Sequence, residues 1–203
     1  PRGGMAALLR SPLLRASATS CATHAAGDAL CQTVAPPSAG PGEARAGASG
    51  AEAFDAGRCA RFAAVGATLH GPFFHHAFGA LERHVRVGGA PWRAVVAKTA
   101  VGQFTALPLY LTLFFPYMSV LEGVFSGEGA AEPAALAAGA AARLADNFVP
   151  TMVAGTAFWP AANLVNFSVV PANMRVAYVG SVGVVWNVYL SWRNAREAGG
   201  GRG

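Results

Sequence analysis

The chemistry open to this chain starts from one carboxylate in apolar surroundings. Asp28 is the single charge in residues 16–42. A charged side chain at the centre of a bilayer costs about 2.5–3.5 kcal/mol on insertion scales, so such groups face a bundle interior or water. Gln32 follows four residues later, on the same face of a helix. The pair has two readings. It lines an aqueous path, or it makes interhelical contacts, with Asp28 near an interface or against an arginine such as Arg175. Trp159, Asn163 and Asn166 fall at i, i+4 and i+7 and share one helix face. With Gln103 and Asn187 they form a candidate polar network between helices, or the wall of a hydrated lumen. Both readings turn these side chains inward.

Other constellations are poor in chemistry. His70, His75 and His76 cluster in one segment, but no pair has i,i+4 spacing and no HExxH occurs, so no metal site is expected. Cys21, Cys31 and Cys59 are odd in number and lack a CxxC pair, which argues against a disulfide framework or zinc. No GxSxG appears, and Asp28 has no second intramembrane carboxylate with which to form an acid dyad. Gly88-Gly89 precedes no GK[ST]. No catalytic residue and no cofactor is expected, and the chain is not read as an enzyme.

The elements that must carry these residues follow from the distribution of charge. Charged residues are 12% of the 203, about half the share in a typical soluble domain, and hydrophobic residues are 53%. Mean hydropathy is +0.37. Residues 62–81, 99–121, 147–174 and 176–192 contain no Asp, Glu, Lys or Arg. A membrane helix needs about 20 predominantly apolar residues, and backbone amides in lipid must be satisfied within the helix. The expected fold is therefore all-α: a polytopic transmembrane helix bundle with four to five apolar helices. The net charge of +5 does not indicate nucleic acid. Its arginines flank the apolar stretches (Arg10, Arg15, Arg58, Arg61, Arg83, Arg86, Arg93, Arg193, Arg196), where cations anchor helix ends and bias topology. Lys98 is the only lysine.

Along the chain, residues 1–12 are a basic flank, free of acids, with the composition of an import presequence or simply of the approach to helix 1. The first residue is Pro1, which leaves the true N-terminus open. A single transmembrane domain spans 13–196. Helix 1 runs from Leu13 to Val34. Residues 36–53 are a low-complexity loop expected to be disordered. Helix 2 covers about 55–84. Trp92 opens helix 3 at an interface. Residues 122–132 form an acidic, Gly-rich loop. An Ala-rich helical segment, 133–145, leads into helix 4, with kinks expected at Pro150 and Pro160. Pro171 ends helix 4, and a last helix starts near Ala172. Residues 197–203 are a disordered tail. The basic start and the helix 2–3 connection share one side, as the positive-inside rule asks. A fifth full span would place the basic tail on the acidic side, so the count stays at four or five.

Five fragments, in order, resemble one family. They are Gly27-Asp28-Ala29-Leu30-Cys31-Gln32 (GDxxxQ), Asp55 with Arg58 and Arg61 (DxxRxxR), and Gly71-Pro72-Phe73-Phe74-His75 with Leu81 (GPxxH…L). Trp159-Pro160, Asn166-Phe167, Val170-Pro171 and Arg175 follow. Trp186-Asn187-Val188-Tyr189-Leu190-Ser191-Trp192 closes the series. This order and spacing resembles the Mpv-seventeen and twenty-two-kilodalton peroxisomal-membrane-protein family over about 13–196. The resemblance implies a four-helix-type protein of an organelle membrane. The mitochondrial inner membrane is favoured by the basic start; peroxisomal and plastid membranes are the alternatives. It further implies a pore-like channel for small solutes supporting organelle homeostasis, or a structural or assembly factor without transport. Its motif residues Gly27, Arg58, Gly71, Pro72, His75, Trp159, Pro160, Phe167, Pro171, Arg175, Trp186 and Tyr189 are expected to be structural, with His75 bonding a neighbouring helix. Asp28, Gln32, Gln103, Asn163, Asn166 and Asn187 are the expected pore-lining or interhelical polar set. The chain departs from the pattern at Ala77-Phe78, where an aromatic pair is usual, at Asn163, where glutamine is common, and at Gly102-Gln103, where the family has Asp-Gln. Loss of that acid implies altered selectivity. The partners expected are the lipid bilayer, small solutes if the chain is a channel, and further copies in a homo-oligomer, with no nucleic acid.

Overall fold

The computed structural model describes residues 11–34, 54–125 and 132–186. Residues 1–10 of the expected flank 1–12, the loop 36–53, most of the acidic loop 122–132, Asn187, Tyr189 and the tail lie outside the described residues. Those described are helical, with no strand among them. Helix α1 is Pro12–Val34. Helix α2 is one rod in three parts: Ala56–Val65, a π-helical stretch Gly66–His70, and Gly71–His84. Helix α3 is built alike from Pro91–Val101, the π stretch Gly102–Ala106, and Leu107–Phe125. Helix α4 is Pro133–Val169, a single 37-residue helix with Pro150 and Pro160 inside it. The Ala-rich segment and helix 4 are thus continuous, because the bends that proline introduces do not break a helix whose neighbours support it. A 3-10 turn, Ala172–Met174, leads into α5, helical over 175–186.

Local chemistry sets the starts. Pro91 and Pro133 occupy the first turn, where a missing N–H forfeits no hydrogen bond. Asp55 caps α2, its carboxylate accepting from the Arg58 N–H at 2.8 Å.

The helices alternate in direction. Asp28 of α1 meets Arg58 of α2, and Ser20 meets His70 further along, so α1 and α2 are antiparallel. Thr68 pairs with Tyr117 across α2 and α3 at 2.7 Å. Gln103 reaches Thr156 across α3 and α4, while Arg143 pairs with Glu122 at their other ends. Tyr178 of α5 donates to the Ala162 carbonyl of α4 at 3.2 Å. Thr23 faces Gly180, and Gly27 faces Val184, so α5 runs parallel to α1. The bundle is up-down-up-down-up. Its core joins Phe78 and Leu81 of α2, Phe167 of α4, and Val176 and Val179 of α5, with Ala16 of α1.

Two crossings require glycine. A Cβ on Gly71 would lie 2.7 Å from the Ser17 Cα, and one on Gly66 would lie 2.8 Å from the Ser20 carbonyl carbon. These are backbone atoms, so no side-chain adjustment makes room. Small residues let membrane helices approach this closely.

Among the described residues, two helices are long and apolar enough to cross a membrane: Pro91–Phe125, 35 residues, and Pro133–Val169, 37 residues. Only 17% and 11% of their most apolar windows are buried, whereas the core helix of a soluble protein is mostly buried. Phe104, Val124, Val149, Val153 and Val169 all point outward. This outside suits lipid. α1 and α2 fall short of the same criterion because polar residues dilute them: Ser17, Thr19, Ser20, Thr23, His24, Asp28 and Gln32 in α1, and the three histidines of the middle of α2.

Candidate functional site

A cavity of about 200 Å³ lies within the bundle and is lined by residues of all five helices. α1 contributes Thr23, His24 and Gly27; α2 contributes Phe62, His70, Phe74 and Phe78. α3 contributes Gln103, Tyr110, Phe114 and Phe115, and α4 contributes Thr151, Trp159, Asn163 and Phe167. α5 closes the wall with Val179, Gly180, Gly183, Val184 and Trp186. No Asp, Glu, Lys or Arg is among the described lining residues. Aromatic and aliphatic side chains make up most of the wall, and a few polar groups interrupt it.

The two π-helical stretches shape that wall. His70 ends the first and Gln103 lies in the second. A π turn widens the helix by one residue and recurs at functional positions. Here each turns a polar residue into the bundle.

The polar groups have definite partners. Gln103 donates from Nε2 to Thr156 Oγ1 at 2.9 Å, and its Oε1 is buried without a protein partner. Asn163 Oδ1 is likewise buried and unpartnered. Ser20 Oγ and His70 Nδ1 lie 2.9 Å apart, and His24 Nδ1 lies 2.9 Å from the Ser20 carbonyl. The two imidazoles are 4.4 Å apart between ring centres, and Tyr110 meets His70 edge-on at 5.6 Å. A buried, unsatisfied polar group costs about 1–3 kcal/mol. The unpartnered amide oxygens are therefore at home where water or a solute fills the cavity.

Asp28, Gln32 and Asn166 are not among the lining residues. Asp28 accepts from Arg58 Nε at 2.7 Å and from Gln32 Nε2 at 2.7 Å. Its arginine is thus Arg58, from the motif of the facing helix, and not Arg175. Gln32 also brackets the Asp55 backbone, accepting from its N–H at 2.7 Å and donating to its carbonyl at 3.0 Å. The GDxxxQ and DxxRxxR fragments form one clamp between α1 and α2. Asn166 is fully buried and neither amide atom has a protein partner. Gln103, Asn163 and Asn166 do not bond one another, since Gln103 turns to Thr156.

The remaining motif residues hold the frame. Arg175 pairs with Glu82, donates to the Val170 carbonyl at 3.2 Å, and stacks over Phe167 at 5.1 Å. Lys98 pairs with the other Glu82 oxygen at 2.6 Å. This second clamp ties α2, α3 and α5 together just beyond Phe78 and Phe167. Trp186 packs on Phe158 at 5.0 Å and on Trp159 at 6.1 Å. Gly27 backs on Val184, Pro72 follows the first π stretch, Pro160 lies inside α4, and Pro171 precedes the 3-10 turn. His75 packs edge-on against His76 of its own helix, at 5.2 Å, and among the described residues no hydrogen bond joins it to a neighbouring helix. Sequence reasoning missed Ser20, His24, Tyr110, Thr156, Glu82 and Lys98.

The model of the Mpv17 / PMP22 family matches residues 135–191. Protein sym1 of Aspergillus oryzae is 31% identical over 192 residues, covering 95% of this chain and 96% of its own length. The proteins called mitochondrial inner membrane protein Mpv17 are similar too. That of Drosophila melanogaster is 33% identical over 138 residues, 68% of this chain and 76% of its own. That of Bos taurus is 29% identical over 147 residues, 72% and 76%. No solved structure matches.

Proposed function

The chain belongs to the Mpv17 / PMP22 family of membrane proteins, and from that premise we propose that it is a pore-like channel for small solutes in the mitochondrial inner membrane. The printed name of two relatives supports that compartment over the peroxisomal and plastid alternatives. The observation that carries the channel reading is the central cavity. Every helix contributes to it, and Gln103 Oε1 and Asn163 Oδ1 have no protein partner. An apolar core would have no use for such groups; a hydrated passage does. At 1.5 Å per residue, α1 to α4 are each at least about 30 Å long, enough to cross a bilayer core. α5 runs beside α1 from the same end, which supports a fifth element within the membrane. We propose no catalytic role.

The test is conductance of purified protein in planar bilayers. Stepwise current is expected, and electrical silence across a range of voltages and solutes, with no solute flux, sinks the channel reading.

One observation favours a second reading. Asp28 and Gln32 are committed to the α1–α2 clamp, as in a structural or assembly factor whose polar groups only join helices. That reading expects Asn166→Ala to lower stability while bilayers stay silent.

A further inference from the structure

We propose that a groove on the outer face of the bundle, between α2 and α3, holds a phospholipid of net negative headgroup. The acyl chains lie in the groove and the phosphate sits on the arginines at its end. The inference concerns a surface apart from the central cavity and does not depend on conduction.

The groove has a volume of about 690 Å³ and is lined by α2 and α3 among the described residues. Phe73, Ala77, Val101 and Leu109 supply apolar wall. Thr68, His76, His84, Thr105, Val101 and Leu109 are exposed, so the groove opens outward, toward lipid. Its threonines offer no free donor. Thr68 Oγ1 donates to the Ala64 carbonyl and Thr105 Oγ1 to the Val101 carbonyl, each at 2.6 Å. From Thr68 to Val85 the groove follows α2 for about 25 Å, further than the roughly 15 Å of hydrocarbon in one leaflet.

One end of this slot is electropositive. His84 and Val85 line the groove where α2 ends, and the connection to α3 begins there. Arg83, Arg86 and Arg93 lie at that connection and all three are exposed. The one carboxylate in residues 56–121 is Glu82, and its two oxygens are already taken by Lys98 and Arg175. Among the described residues no acid pairs with Arg83, Arg86 or Arg93. Trp92, 62% exposed, stands in the same connection with the Arg93 guanidinium 5.7 Å from its ring. Tryptophan settles at headgroup level, so these arginines are at the depth of lipid phosphates.

An apolar slot alone takes any acyl chain, and arginines alone take any anion. Joined end to end they fit a molecule that carries both. The guanidinium fork matches phosphate oxygens. A zwitterionic headgroup brings its own cation, whereas three unneutralised arginines call for a headgroup without one. A second copy packed here about a twofold axis along the membrane normal would set its arginines beside these, which favours the lipid as occupant.

The test uses the full chain in an uncharged detergent, titrated with phosphatidylglycerol, with phosphatidylcholine of the same acyl chains, or with glycerol phosphate. Thermal unfolding reads apparent affinity, and native mass spectrometry counts bound lipid. Phosphatidylglycerol is expected to bind at least about tenfold tighter than phosphatidylcholine. Arg83→Gln, Arg86→Gln and Arg93→Gln are each expected to weaken it by about fivefold. Arg15→Gln removes the same charge from α1, which lines no part of the groove among the described residues, and is expected to change nothing. Ala77→Phe fills the groove and is expected to weaken binding with all three arginines in place. Circular dichroism checks that each variant is folded, and the exposed arginines carry the test if Ala77→Phe does not fold. Equal affinity for the two lipids, folded arginine variants with unchanged affinity, or an equal effect of Arg15→Gln overturns the proposal. So does glycerol phosphate binding as tightly as the lipid, which would leave a site for free phosphate. An Ala77→Phe variant that dissociates an oligomer and binds lipid unchanged also overturns it, and gives the groove to a second copy.

Discussion

Replacing Arg58 by methionine removes one charge from the α1–α2 clamp and keeps most of the side chain's length. Asp28 then holds a carboxylate whose side chain is 2% exposed, with Gln32 as its one remaining side-chain partner. Breaking a buried ion pair by removing one member costs about 3–5 kcal/mol. Arg58 itself is 27% exposed, so water reaches this pair in part and the low end applies. The expected loss for Arg58→Met is about 3 kcal/mol. For a chain of this size that is a fall in Tm of about 6–12 °C. Asp28→Asn removes the stranded charge, so the double variant Asp28→Asn/Arg58→Met should recover to within about 1 kcal/mol of the parent. The assay is thermal unfolding of the detergent-solubilised protein, run as a double-mutant cycle. A loss below about 1 kcal/mol for Arg58→Met, or a double variant no better than it, refutes the clamp as a buried pair.

Three further outcomes follow from the same packing. Asp28→Asn should leave conductance and ion preference unchanged in planar bilayers, because Asp28 is not on the cavity wall; an altered preference would put it there. Glu82→Gln strands both Lys98 and Arg175, although Arg175 keeps the Val170 carbonyl and the Phe167 ring, so unfolding should show a loss of about 2–3 kcal/mol. Gly71→Val drives a side chain into the Ser17 backbone and should cost about 3 kcal/mol or prevent assembly, while Gly88→Ala, with nothing within 4 Å, should stay within about 0.5 kcal/mol; thermal unfolding of the pair compares them.

Much of the architecture was legible in the sequence. The uncharged stretches mark where helices lie, because charge is what lipid excludes. Pro12, Pro91 and Pro133 begin helices where a missing N–H is harmless, and Pro171 ends one. Gln103 and Asn163 were singled out as polar residues in apolar helices, and both reach the cavity. What the sequence hides is long-range pairing. Nothing local joins Asp28 to Arg58, thirty residues on and in the next helix. Arg175 looked available to Asp28, yet the direction of α5 brings it to Glu82 at the other end of the bundle. Glu82 sits among the charges at the helix 2–3 connection, where nothing local sets it apart. Lys98 carried a signal as the only lysine, at the edge of an uncharged stretch, but no spacing names its partner. The π turns are invisible to a period of 3.6, and so the inward turn of His70 was out of reach. His24 and Ser20 are spaced i,i+4, but a lone histidine on an apolar helix is commonplace.

The central claim is that the middle of the bundle is wet. It is tested most directly in a background where Cys21, Cys31 and Cys59 are replaced by serine or alanine. Gln103→Cys and Phe104→Cys are introduced separately and exposed to a small, membrane-impermeant thiol reagent in intact proteoliposomes. Residue 103 faces the cavity, whereas residue 104 is 71% exposed on the outer, lipid-facing side. The thiol at 103 should react and the thiol at 104 should not. Protection at 103, or equal reaction at both positions, contradicts a hydrated path through the bundle.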